Sequence, residues 1–546
     1  MARIQPKILK GFRDYLPEVM VPRTRLLRRI AEVFERHGFE PLDTPSIEYA
    51  EILLGKAGPE AEKLFYRFLD QGGRDVALRY ELTISLARVI GQYKSDLPRP
   101  FKRYQMGPVW RAESPAKGRF REFWQCDVDI VGTDSLLADA ECIAIDHAVM
   151  RALGVPNYVI RFNNRKVFRG LQARIGVADG AVMDGVMRVI DKFDKVGEAG
   201  VRKELQGLLG QGGFTEPGFN AVLEFLKVTE GAGSNAERIQ RVADFLGDAE
   251  MGVRGCAELR EVLEAALAMG VSEDALLVDP TIVRGLEYYT GTVFETFLKD
   301  APQFGSVMSG GRYDGLIGLF SGEEVPAVGI SVGIDRLIAA LEELQLLPKA
   351  KASAAVLVTI FSPETKGYSM RAARELRRAG INAELYLDPQ AKLAKQLKYA
   401  SRKGIPLVVI AGPEEEKAGV ASLRSMESGE QMQVSIEALP QSVQDNYVDP
   451  EPSAATGRSW DWEYADDMID RVPPVGGVYL LRNSKHEVLK CGWAPYGKLA
   501  ETIRNAATAE QRPEVRTFDW YEIRDDKLSQ ALAEFMNQKL SPKFGV

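Results

Sequence analysis

From Trp124 to Ile130, after Phe123, apolar and polar side chains alternate without a break: Trp-Gln-Cys-Asp-Val-Asp-Ile. Successive side chains of a strand point to opposite faces, so Trp124, Cys126, Val128 and Ile130 fall on one side and Gln125, Asp127 and Asp129 on the other. An apolar back requires a core behind it. The polar front suits the floor of a pocket, and equally suits an antiparallel strand with one wet face.

The rest of the chain falls into blocks around this strand. Leu26, Leu27, Ile30, Val33 and Phe34 recur at helical spacing, and Gly38 ends that helix. Residues 39–51 follow as a strand broken by Pro41 and Pro45. Residues 165–270 carry helical patterns and many glycines, and read as an inserted helical module. It divides a core made of 1–164 and 271–346, with strand patterns returning before a helix that starts near Asp335. Beyond a linker near Leu347, residues 353–440 run strand, helix, strand, helix, strand, which predicts an α/β domain with a largely parallel sheet. Residues 441–471 are polar and acidic and read as a second linker. Residues 472–546 regain strand and helix patterns and predict a small α/β appendix. The expected fold class is therefore α/β and multidomain, and 546 residues, 45% of them hydrophobic, suffice for several cores.

Composition excludes some functions. A net charge of −7 argues against a wholly basic nucleic-acid coat and leaves a local basic face open. Cys126, Cys142, Cys256 and Cys491 are far apart, and His37, His147 and His486 are the three histidines. That spacing suggests neither a zinc site nor a disulfide framework, and fits free thiols in a reducing cytoplasm. The N-terminus has no apolar leader and no stretch of about 20 apolar residues occurs, so no membrane partner is expected.

Three charged clusters stand out. Arg79, Glu81 and Thr83 are expected on one face of a strand, and so are Arg111 and Glu113, which precede a basic loop holding Lys117, Arg119 and Arg121. The third is Gly-Ile-Asp-Arg at Gly333–Arg336, where a strand runs into a helix. Glycine permits close ligand approach. Asp335 is read as a helix-start residue, and Arg336 lies in a first turn, where the dipole disfavours a cation. Taken singly, an Arg-x-Glu in a strand is more often a surface ion pair.

Their order along one chain resembles motifs one, two and three of the class II aminoacyl-tRNA synthetases. Pro45 matches motif one, Arg111 and Glu113 motif two, Gly333 and Arg336 motif three. The segments VRGLEYYTGTVFE from Val283 and SGGRYDGL from Ser309 resemble the two histidine signatures of the histidyl-tRNA synthetase family, and KGFRDYLP from Lys10 resembles its opening. Glu287 stands where that signature usually has aspartate.

The resemblance implies a class II antiparallel catalytic sheet, a helical insertion, an anticodon-binding domain, and ATP with Mg²⁺ as cofactors. Histidine and tRNA(His) would be the other partners, in a cytoplasmic homodimer. Arg111 would hold the α-phosphate, with Arg284 opposite and Gln125 nearby. Glu113, Arg119, Gly333 and Arg336 would border ATP. Glu81, Thr83, Gln125 and Arg284 would take the amino-acid end of histidine, Asp129 and Tyr289 its imidazole, with Tyr288 and Tyr313 lining the pocket. Tyr288 suits core packing equally well. Lys117, Arg119 and Arg121 would hold the tRNA acceptor end, and Lys392, Lys395, Lys398, Arg402 and Lys403 would face the anticodon. An inactive paralogue, such as a regulatory subunit of histidine biosynthesis, and a non-catalytic RNA-binding scaffold are the alternatives.

Residues 472–546 are outside what this family ordinarily carries. Gly477-Val-Tyr-Leu-Leu resembles the first half of a GIY-YIG domain. Lys490 replaces the tyrosine of the second half, Arg504 comes late for the expected arginine, and Glu534 falls where a metal-binding glutamate would be. The expectation is a GIY-YIG-like fold without nuclease activity that contacts tRNA or protein.

Overall fold

The computed structural model describes residues 4–55, 64–115, 118–283, 288–347, 351–446, 458–463, 477–483, 488–495, 498–506, 515, 517–522, 530, 532–534 and 536. The chain divides into two compact units, Met1–Leu347 and Pro348–Val546.

In the first unit the chain forms β1 (Glu40–Pro41), β2 (Ile47–Tyr49), β3 (Arg67–Leu69), β4 (Asp75–Leu78), β5 (Phe101–Trp110), β6 (Glu122–Val131), β7 (Tyr158–Asn164), β8 (Leu276–Val278), β9 (Thr292–Leu298), β10 (Ser306–Arg312) and β11 (Ala327–Gly333). Eight of these make one sheet in the order β1-β5-β6-β11-β10-β9-β7-β8, antiparallel except at its two ends, and β2-β4-β3 make a small second sheet. The two prolines act as expected: β1 stops at Pro41, and Pro45 lies in the gap before β2.

The alternation in β6 sorts as predicted. Cys126, Val128 and Ile130 pack into the main core with the helices Pro17–Arg36 and Leu137–Ala152. The front residues are buried as well, with Gln125 8% and Asp127 and Asp129 each 3% exposed, which rules out the wet-face alternative. Gly329 on β11 pairs with Asp129, and a Cβ there would lie 2.0 Å from an Asp129 carboxylate oxygen, so only glycine lets that side chain turn inward.

Six helices between Arg165 and Ala268 form the insertion, and Asn164 caps the first by accepting from the Lys166 N–H. Their apolar faces join the same core, through Leu171, Phe225, Val242 and Leu259 among others.

Two expectations about strands need correction. β4 ends at Leu78 and a helix begins at Thr83, so Arg79, Glu81 and Thr83 do not share a strand face. Glu81 instead turns back to accept the N–H groups of Thr83 and Ile84, each at 2.6 Å, satisfying donors that a helix start leaves open. β5 likewise ends at Trp110, and Arg111 and Glu113 lie in the loop beyond it.

The second unit holds β12 (Val356–Val358), β13 (Ala383–Leu385), β14 (Leu407–Ile410), β15 (Val420–Ser425) and β16 (Gln431–Ser435), in the order β13-β12-β14-β15-β16. The first three are parallel, but β15 and β16 return antiparallel, so the sheet is mixed rather than largely parallel. The stretch 441–471, read as a linker, contains the end of the helix Leu439–Asn446 and a further strand, β17 (Arg458–Glu463).

β17 belongs to a four-stranded antiparallel sheet with β18 (Gly477–Arg482), β19 (Val488–Ala494) and β20 (Thr517–Glu522), in the order β17-β20-β18-β19. One face of that sheet, with Tyr479, Leu481 and Phe518, packs on the helix Leu499–Asn505; Val478, Leu480 and Cys491 pack with Leu532, Ala533 and Met536.

Candidate active site

The front of the large sheet closes a cavity of about 390 Å³ between β6, β9, β10, β11 and the loop after β5. Its floor is the polar row of β6. One Asp129 oxygen takes the Tyr313 hydroxyl, and the other lies 2.7 Å from the guanidinium of Arg103, a fully buried side chain from the neighbouring strand. Burial pushes the Asp129 carboxyl up to about 6, with Arg103 and Tyr313 working against it. Asp127 goes further, to about 7, because burial is reinforced by Asp129 while Arg103 and the Ser331 hydroxyl offset only part. Its Oδ1 has no hydrogen-bond partner among the described residues. Gln125 donates its Nε2 to Ser331 at 2.7 Å, and its own buried carbonyl oxygen has no hydrogen-bond partner among the described residues.

Three tyrosines wall this end. Tyr288 meets Tyr289 and Tyr313 edge-on, with ring centroids 5.2 and 5.7 Å apart. Burial, with nearby carboxylates, pushes all three hydroxyls well up, so they act as neutral donors.

The opposite end is cationic. Arg111 stacks over Tyr80 at 4.2 Å and Phe123 at 5.0 Å, and donates to the Tyr80 carbonyl. Arg119 is 60% exposed and 4.0 Å from Glu113. Arg336 lies in the first turn of the helix Ile334–Glu343 and donates to the Ser306 carbonyl. The cavity therefore runs from a buried carboxylate and phenol floor to an open rim of arginines. An amino acid fits the first part, and phosphates the second.

A family model described as histidyl-tRNA synthetase matches residues 11–337, and one for an anticodon-binding domain matches 355–446. The chain belongs to the histidyl-tRNA synthetase family. Histidine--tRNA ligase of Rhodopirellula baltica is 42% identical over 446 residues, 81% of this chain and 99% of the relative. That of Wolinella succinogenes is 43% identical, covering 80% and 98%. Among solved structures, histidyl-tRNA synthetase from Nostoc sp. PCC 7120 superposes with a TM-score of 0.74 at 33% identity, over 82% of this chain and all of that one. An ATP phosphoribosyltransferase regulatory subunit/histidyl-tRNA synthetase from Bacillus halodurans has a TM-score of 0.61 at 23% identity, over 73% and 97%, a likeness of fold alone.

The enzyme is thus a histidyl-tRNA synthetase, an aminoacyl-tRNA ligase that uses ATP, and the inactive alternatives are not favoured. Glu81, Thr83, Arg111, Glu113, Arg119, Gln125, Asp129, Tyr288, Tyr289, Tyr313, Gly333 and Arg336 all line the one cavity. Arg121 does not: it donates to the Glu113 and Lys10 carbonyls. Arg284, Glu287 and Lys117 lie outside the described residues.

Asp335 is not a helix cap. Its carboxylate accepts from Arg13, Tyr15, Arg23 and the Trp124 N–H. Burial works against its ionisation, and these partners outweigh it, holding it below the usual carboxylate range.

Sequence reasoning missed Arg103 and left Asp127 without a role. Arg103 carried a signal: in β5 the residues Phe101, Arg103, Gln105, Gly107 and Val109 are the buried set, a period of two that polar side chains disguise. The arginine of SGGRYDGL serves the fold, since Arg312 is buried against Asp139.

Proposed function

We propose that histidine binds on the β6 floor and is activated at the arginine rim. Asp129, held by Arg103 and Tyr313, faces the imidazole together with Tyr289. Glu81, Thr83 and the free carbonyl of Gln125 face the α-ammonium. A site built from such groups rejects analogues that cannot pair with them. The histidine carboxylate then attacks the α-phosphate of ATP, and Arg111 neutralises charge on both anions. Arg284 supplies a second cation by resemblance. Arg336 and Arg119 flank the nucleotide, with Glu113 on the adenine side.

Among the described residues no three His, Cys, Asp or Glu gather as metal ligands. The resemblance implies a Mg²⁺ accompanying ATP, a hard cation that would take oxygen donors. When bound, the ion screens the phosphate charge. The tRNA acceptor end is received at the loop of Lys117 and Arg119, with Arg121 anchoring that loop. The exposed Lys398 and Arg402, beside Lys392, Lys395 and Lys403, face the anticodon.

A homodimer belongs to the same reading, because Ile47, Tyr49, Phe68 and Leu69 leave apolar surface on the small β2-β4-β3 sheet next to Pro45. So does a cytoplasmic setting: the four cysteines are buried free thiols, and among the described residues no helix is long and apolar enough to cross a membrane.

The appended sheet serves as a contact module of GIY-YIG-like form without nuclease chemistry. Tyr479 is 4% exposed within its core, and Glu534 sits at the helix surface, accepting from Gln530. Metal-dependent cleavage of tRNA or DNA, lost in Glu534→Ala, would contradict that role.

The observation that carries the whole reading is the Asp129–Tyr313 floor, backed by the buried Arg103, in the same cavity as Arg111 and Arg336. ATP–pyrophosphate exchange with a panel of amino acids tests it. Exchange dependent on histidine alone is expected, and exchange indifferent to histidine would refute it.

A further inference from the structure

The opening segment Gly11–Tyr15 runs along the motif-two loop to the start of the motif-three helix. Gly11, with φ +88°, accepts the Arg121 N–H at 2.8 Å, and a Cβ there would meet the Arg121 side chain at 2.7 Å. Two residues on, Arg13 has three contacts, one of them its guanidinium over the Tyr15 ring at 4.3 Å. Its guanidinium lies 3.8 Å from the centroid of Phe120, in the motif-two loop, and its Nη2 donates to Asp335 Oδ1 at 2.7 Å. Phe120 and Asp335 both line the cavity, and each is the immediate chain neighbour of a rim arginine, Arg119 and Arg336.

Asp335 does not depend on Arg13 for its charge. Arg23, 2% exposed, reaches it at 2.7 Å, Tyr15 at 2.6 Å and the Trp124 N–H at 2.8 Å. Arg13 is 34% exposed and is the donor that also covers Phe120. A planar cation suits this bridge, since its edge can donate while its face stacks.

We propose that Arg13 is a positioning residue for ATP: by tying Phe120 to Asp335 it sets the separation of Arg119 and Arg336 across the nucleotide. Arg23, Tyr15 and the Trp124 amide fix the motif-three side, and Arg13 brings the more exposed loop to it. This rests on the reading that ATP lies between those two arginines. Nucleotide binding then draws on a residue more than 100 positions upstream of the loop it holds, because a misplaced loop loses much of its contribution to positioning.

The test uses the full chain in histidine-dependent pyrophosphate exchange, with ATP and histidine varied separately, alongside thermal melting. Arg13→Ala should raise the ATP KM about tenfold with the histidine KM within about twofold. Arg13→Lys, which keeps the charge and loses the flat face, should fall between. Phe120→Leu should give a similar rise, and the double variant little more than either alone. An unchanged ATP KM in Arg13→Ala would overturn the inference, as would equal rises in both KM values accompanying a lowered melting temperature. Absence of exchange in the unmodified enzyme would remove the functional reading itself, whereas a normal parent with an indifferent Arg13→Ala removes the inference alone.

Discussion

Asp129 and Asp146 belong to opposite faces of the large sheet, and burial raises both carboxyls, to about 6 and about 7. Asp129 projects from the front of β6 into a cavity, beside a buried arginine and a tyrosine. Asp146 comes from the helix Leu137–Ala152 packed on the back and takes the Thr296 hydroxyl, while its Oδ1 has no hydrogen-bond partner among the described residues. The two look alike by burial and by shift. They differ in what stands next to them: a cation and an opening on one side, closed packing on the other. A perturbed acid marks a site when the structure also supplies a ligand-sized space and a reason for it to be charged.

The strongest way to break this contrast is to remove the cation. Arg103→Leu should leave Asp127 and Asp129 buried without a counter-charge, costing about 3–5 kcal/mol of stability and lowering histidine affinity by roughly 100-fold or more. Denaturant melts and histidine titration measure both. Parent-like values would mean that Arg103 does not support the floor.

Asp127→Asn should have a smaller effect, a rise of about tenfold in histidine Kd. Burial pushes its carboxyl up to about 7 and that of Asp129 up to about 6, so parental binding should improve as the pH rises through that range. In the variant the improvement near 7 should disappear while that near 6 stays. A pH profile of histidine Kd identical to the parent's would remove Asp127 from the site.

Asp146→Asn should leave histidine affinity alone and change stability. A carboxyl raised in the folded state keeps its proton after the unfolded chain has lost it. The stability it contributes is therefore full below about pH 4 and is lost as the pH rises through about 7. The variant should gain on the order of 1–3 kcal/mol relative to the parent at pH 8 and nothing near pH 4. Equal melting shifts at both pH values would contradict the buried-acid account.

The legibility of the sequence follows the same divide. Front and back of β6 were readable because one strand's alternation carries the information locally. The signature tyrosines and Arg336 were readable from likeness to the family. Arg103 was not, since polar side chains disguise the period of two that buries it in β5, and an arginine in FKRYQ reads as surface. Asp146 was hidden in a helix whose surroundings no local pattern reveals. Arg79, Glu81 and Thr83 were placed on a strand because their spacing of two fits one, but the helix start at Thr83 drew the Glu81 carboxylate to its open N–H groups. The strand Arg458–Glu463 was missed because acidic and proline residues around it read as a linker, and its partner β20 lies more than 50 residues downstream.

Asp129, and not merely any buried acid, is proposed to read histidine. Calorimetric titration of histidine into Asp129→Asn and Asp146→Asn, side by side at pH 7.5, tests it directly (the pH being a choice about half a unit above the higher shifted value). Asp129→Asn should bind histidine roughly 30- to 100-fold more weakly, the cost of one charged hydrogen bond, while Asp146→Asn binds like the parent. Normal binding by Asp129→Asn, or an equal loss in both, would contradict the claim.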